Sequence, residues 1–303
     1  MKKLLITIFA IACLSSVYAQ NEDPNAANKA AGCFFPWIGA SGEANVSVEC
    51  YTLVTDANIR DKPNAAAAVV SKLPIATKVK IEQITTDTLT LNGFPAPWCK
   101  VSYTLQGKKM SGFIWGGTLA FAMWKSPDEY NEDVKNLVYL VGMSKFDAKN
   151  MTTTLQVRAA RNGVEIAKTE FQTAGDVGYY LDMECFYDQN FKNVKSAFEI
   201  KTYYPACGYT TGKNLMFFTG KSLFRVLEMN ESSDAGAFSS SESAILPMEK
   251  GGISGHVLVV SDVLQFSEKE AKGDVEIVLQ KQDYKVTLYK WNGEKLVKSK
   301  ELK

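Results

Sequence analysis

The sequence predicts an all-β protein in which a small barrel precedes a larger antiparallel, β-sandwich-like domain. Three observations carry this. Apolar residues alternate with polar ones over short runs from about residue 50 onward. Asn162-Gly163 and Asn292-Gly293 each separate two strand-like runs, the strongest short hairpin signal a sequence offers, and Asn92-Gly93 adds the same turn chemistry. Sustained helical periodicity is almost absent.

The chain of 303 residues opens on a segment that reads as a leader. Lys2 and Lys3 precede an apolar run from Leu4 to Cys13, and Val17-Tyr18-Ala19 supplies a small-residue cleavage site, so residues 1–19 are expected to be removed on export. That run is too short to span a bilayer, and no later stretch approaches the ~20 apolar residues a span needs. Residues 20–49 form an N-terminal extension. Without Lys2 and Lys3 the count is 32 basic against 33 acidic side chains, which leaves no electrostatic case for nucleic acid. The local basic stretches, 280–285 and the terminal lysines, read as a solvated strand face and a tail.

Residues 50–122 hold the barrel. Val79, Ile81 and Ile84 lie in a β-rich run, Trp98 and Lys100 alternate with Cys99 and Val101, and Phe113 and Trp115 share a face. Pro63-Asn64 supplies a turn. A barrel of roughly 65 residues buries only a thin core, so it is expected to pack against its neighbour. The order of the segments, Ala57-Asn58-Ile59-Arg60, then Pro63, Trp98-Cys99-Lys100-Val101 and Gly112-Phe113-Ile114-Trp115, resembles the bacterial SH3-like (SH3b) family. Its members typically show Leu-Asn-Val-Arg, a Pro turn, Trp-x-Lys-Val and Gly-aromatic-Val. Here Ala57 stands for the usual Leu and Ile59 for the usual Val, and the resemblance covers under a quarter of the chain. It implies a binding module, for a cell-wall peptide or glycan or for an envelope protein. Candidate contact residues are Tyr51, Asn58, Arg60, Asp61, Trp98, Tyr103 and Trp115, because flat aromatics give contact area at low entropic cost and Arg60 and Asp61 could select charged groups. The competing reading has Asn58 and Asp61 capping the turn at Pro63 while Trp98 and Trp115 complete the core.

The cysteines after residue 19 are Cys33, Cys50, Cys99, Cys185 and Cys207, an odd number in an oxidising compartment. Cys99 shares a face with Val101 and is expected to be a buried, inert thiol. By sequence proximity Cys33 would pair with Cys50 and Cys185 with Cys207, each closing a loop of roughly twenty residues worth about 3 kcal/mol in chain entropy. With no Cys-x-x-Cys unit and a single His, neither a metal site nor a cofactor is expected.

A linker over 123–136, marked by Pro127, leads to the all-β domain of 137–303. Strands are expected at 137–143, 153–159, 164–171, 179–186, 197–203, 215–218, 223–227, 256–260, 275–279 and 286–291, with Phe217, Phe218 and Phe224 in the sheet core. The Ser-rich segment 230–243 reads as a mobile loop, or as a binding loop carrying Glu231, Asp234 and Glu242.

Catalysis hangs on the lone His256. Gly255-His256-Val257 faintly resembles the His segment of NlpC/P60 cysteine peptidases, with Cys185 as the upstream thiol. Glu184-Cys185-Phe186-Tyr187 lacks their Asp-Cys-Ser-Gly context and reads as a strand, so no helix dipole lowers the thiol pKa. Ser254 lacks the nucleophile-elbow pattern, and no phosphate loop or zinc-protease motif is present. The sequence therefore reads as an exported, non-catalytic binding or scaffolding protein of the cell envelope, with no catalytic residue assigned.

Overall fold

The computed structural model describes residues 31–32, 44–126, 132–174, 180–186, 189–203, 208–234, 236–271 and 274–302. The protein is all-β: three antiparallel sheets, and among the described residues no α-helix, only a 3-10 turn at Gly116–Thr118. No helix among them is long and apolar enough to cross a membrane. The leader, Cys33 and Cys207 lie outside the described residues.

β1 (Ala31–Gly32) belongs to the second sheet. The first consists of β2 (Ala44–Tyr51), β3 (Ala57–Arg60), β4 (Val69–Leu73), β5 (Lys78–Leu91), β6 (Phe94–Leu105) and β7 (Lys108–Trp115), in the order β2-β5-β6-β7-β3-β4. It starts before residue 50, since β2 pairs along β5. Alternation buries Val79 and Ile81 of β5 and turns Lys78 and Lys80 outward. Cys50, Ile59, Leu73, Val101 and Ile114 join the same core, so all six strands curl around one interior. Asn92 and Gly93 both take positive φ, +51° and +74°, the twist a two-residue hairpin demands. At Gly93 a Cβ would also lie 2.1 Å from the Phe146 carbonyl oxygen, so only glycine fits.

The second sheet adds β8 (Ala122–Lys125), β9 (Leu137–Asp147), β10 (Thr152–Arg161) and β11 (Val164–Ala174), in the order β1-β8-β9-β10-β11. Residues 123–125, expected to open a linker, thus belong to a strand that starts at Ala122. The run Ala122-Met123-Trp124 is apolar throughout, and burial on both faces accounts for it. The third sheet runs in sequence order through β12 (Tyr180–Phe186), β13 (Ser196–Tyr203), β14 (Thr211–Phe218), β15 (Leu223–Asp234), β16 (Phe238–Ile245), β17 (His256–Ala271), β18 (Asp274–Trp291) and β19 (Leu296–Leu302).

The second and third sheets enclose a core. Tyr139, Val141, Leu155 and Val157 meet Phe198, Ile200, Met216 and Phe218, with the Tyr139 and Phe198 rings 4.2 Å apart. The other face of the second sheet, through Met123, Leu140 and Ala160, packs on Leu53, Ile75 and Ala120 of the barrel unit. Gly142 makes this approach possible, since a Cβ there would lie 2.3 Å from Leu53 Cδ2. The third sheet also curls on itself. Phe217 of β14 contacts Trp291 of β18 edge to face at 5.1 Å, four places along the strand order, and the Trp291 indole N–H donates to the Lys192 carbonyl at 3.0 Å.

Three expectations need correction. The segment 230–243 is no loop: it forms the end of β15, a turn and β16, with Ser232 opposite Ser240 and Ser233 opposite Ser239, and β17 pairs the far side of β16. Neighbouring strands supply the ladder that composition alone does not promise. Secondly, the runs 275–279 and 286–291 are one strand, and 256–260 continues to Ala271. Thirdly, Cys185 carries a free thiol, so it forms no bridge to Cys207. Cys185 lies on β12 opposite Phe198 of β13. Its side chain turns into the inter-sheet core.

Candidate ligand-binding groove

The seven contact candidates separate into three groups. Trp98 and Trp115 are cross-strand neighbours on β6 and β7. Trp98 is buried, and the Trp115 indole N–H is shared between the Leu89 and Ala96 carbonyls at 3.0 and 3.1 Å while its ring packs on Phe94. Trp115 and Tyr51 also pack against the cores that join the barrel to the second sheet. These three aromatics hold the fold together.

Asn58, Arg60 and Asp61 lie together at the end of β3, on the opposite side of the barrel sheet from β2. The Arg60 guanidinium donates to the Ala67 carbonyl across the loop, and the Asp61 N–H donates to the Ala68 carbonyl at 3.1 Å. The turn after Pro63 is capped by Asn64, whose Oδ1 accepts the Ala66 N–H at 3.0 Å, and not by Asn58 or Asp61.

Tyr103 is the third case. It lines a groove of ≈ 700 Å³ with Glu49, Lys78, Lys80, Glu82 and Lys109. Its side chain is almost wholly buried, yet its phenol oxygen has no hydrogen-bond partner among the described residues. A buried hydroxyl left unmatched costs about 1–3 kcal/mol, and this one belongs to the barrel core, on the inward face with Val79, whereas the charged side chains of the groove face outward. The groove is wet and of mixed charge. Lys78 and Glu49 form an ion pair at 2.7 Å, whose hydrogen bond raises the Lys78 pKa, whereas Lys80 and Lys109 have no ion-pair partner among the described residues. The outward charges of β5 escaped the sequence reading, although the alternation Lys78-Val79-Lys80-Ile81-Glu82 places all three on one face.

A second cleft, ≈ 440 Å³, opens at the end of the sandwich between Gln172, Thr173, Thr202, Asn214 and Asn230. Its buried amide is already matched: Asn214 donates to the Ile200 carbonyl at 3.3 Å and accepts from Arg225 at 3.2 Å.

Cys99 and Cys185 both have thiol pKa values pushed up to about 12, by burial in each case, with the nearby Glu184 carboxylate adding to it at Cys185. Neither thiol is activated. His256 is spent locally, its Nδ1 lying 2.8 Å from the Ser254 carbonyl. Among the described residues no group of three or more His, Cys, Asp or Glu side chains could hold a metal ion. Cys50 is disulfide-bonded, and its partner lies outside the described residues. No protein-family model, curated protein or solved structure matches the chain.

Proposed function

We propose that this protein is an exported, non-catalytic binding protein of the bacterial cell envelope, whose SH3b-type barrel takes a charged cell-wall peptide in the groove at Tyr103. The observation that carries it is the row of charged side chains that lines the groove, Lys78, Lys80, Glu82 and Lys109. A peptide bearing carboxylate and ammonium groups matches a rim of lysines and glutamates. The barrel reading draws support from β3, which pairs with both β4 and β7, and from the β5-β6-β7 meander. Export is supported by the leader-like segment and the bonded Cys50.

The test is co-sedimentation of the purified protein with peptidoglycan sacculi. Binding is expected to fall at least several-fold in Lys80→Glu/Lys109→Glu, with the melting temperature unchanged, and to disappear on sacculi stripped of stem peptides. Full binding to stripped sacculi would instead make the glycan the ligand. A second reading, in which the docked barrel serves a scaffolding role, rests on the Leu53–Gly142 contact. Absence of any wall binding, together with one cooperative unfolding transition, would favour it.

A further inference from the structure

Beyond the barrel, the third sheet ends in an open ribbon. β17 and β18 pair from His256/Lys290 out to Ala271/Asp274, but β16 covers β17 only as far as Gln265, and β19 covers β18 only from Val286 to Trp291. On the side away from β17, residues 274–285 therefore have no strand partner among the described residues. Such an edge is a template for another strand. Three of its large apolar side chains are exposed, Ile277 at 45%, Leu279 at 49% and Tyr284 at 53%.

A bulge sets which side chains share a face. The register passes from Gln265 opposite Lys281 to Phe266 opposite Leu279, leaving Gln280 as the extra residue. Ile277 and Leu279 on one side of it thus share a face with Gln282 and Tyr284 on the other. When the strand meets a second copy of itself antiparallel, opposed residues must lie on one face. A two-fold axis between Gln280 and Lys281 satisfies this. Ile277 then lies opposite Tyr284 and Leu279 opposite Gln282 on one face, with Glu276 opposite Lys285 on the other, each pair occurring twice. The strand is complementary to itself in shape of pattern and in charge.

The geometry points to a second copy of this chain as the occupant of the β18 edge, joined antiparallel so that one sheet runs through both molecules. Closure about a two-fold leaves neither copy with this edge open, which limits the association to a dimer. Roughly ten paired positions span about 33 Å, short of a standard interface, so the dimer is reversible.

Sedimentation velocity of the full chain from about 1 to about 200 μM, spanning the range of modest affinities, is expected to show a concentration-dependent dimer. Ile277→Lys/Tyr284→Lys sets ammonium groups opposite each other at exposed positions and is expected to weaken dimerisation at least tenfold with no change in melting temperature. Glu276→Lys alone should weaken it, and Glu276→Lys/Lys285→Glu should restore it, a rescue that no other dimer surface predicts. A monomer throughout the range, or a dimer indifferent to the double lysine variant, overturns the inference.

Discussion

The hairpin β9–β10 and the ribbon β17–β18 are both long antiparallel pairs with one bulge, yet they live in different surroundings. On β9 the run Leu137-Val138-Tyr139-Leu140-Val141 is covered on both sides, by the barrel through Leu140 and by the third sheet through Tyr139 and Val141. On β18 the residues from Glu276 to Tyr284 are nearly all exposed. Strand propensity does not separate them, since Val and Leu recur in both. What differs is cover: apolar area removed from water on two faces in one case and on almost none in the other. Stability is therefore expected to concentrate where barrel and sandwich share the second sheet.

That contrast can be broken in order of effect. Leu53→Ala, at the barrel side of the shared sheet, is expected to cost about 2–5 kcal/mol in chemical denaturation and to lower a single transition, because the side chain is fully buried. Gly142→Ala presses from the opposite wall and should cost about 1–3 kcal/mol by overpacking. Combined with Leu53→Ala it should cost less than the sum, since its new methyl group fills space that Leu53 Cδ2 vacates. Glu199 sharpens the picture from within the third sheet. Burial raises its pKa above 4.5, outweighing the opposing pull of Lys201 and Lys213. The folded state then holds a proton that the unfolded chain has released, so stability from this group is full below about 4.5 and is lost as pH rises through the raised value. Glu199→Gln should therefore gain on the wild type at neutral pH and converge with it in acid, measured as the difference in melting temperature across the pH range. Leu279→Ser, on the ribbon, should stay within about 0.5 kcal/mol in a dilute monomeric sample. If it matched Leu53→Ala, the ribbon would be part of the cooperative core after all.

The all-β class was legible because strand alternation and Asn-Gly turns are local signals. Asn162 and Gly163 take φ of +53° and +78°, as their turn requires. The loop after Trp291 is longer than the Asn292-Gly293 pair suggests, because the Asn292 side chain caps the backbone of Glu294 and Lys295 and the next strand starts at Leu296. What escaped was set by neighbours. A Ser-rich stretch becomes a strand because β15 and β17 flank it, and residues 122–125 become a strand because β9 pairs with them. The groove was half legible: Tyr103 stood out as an aromatic, whereas the lysines and glutamates around it come from three strands that only the register assembles.

Cys99 lies fully buried inside the barrel, whereas Cys185 is only partly buried against the inter-sheet core, so a reagent reaches Cys99 only when the barrel opens and reaches Cys185 more readily. The Cys99 sulfur thus acts as a clock built into the barrel. Under slow alkylation, its labelling rate set against that of the more accessible Cys185 reads out how often the barrel breathes, with no residue changed.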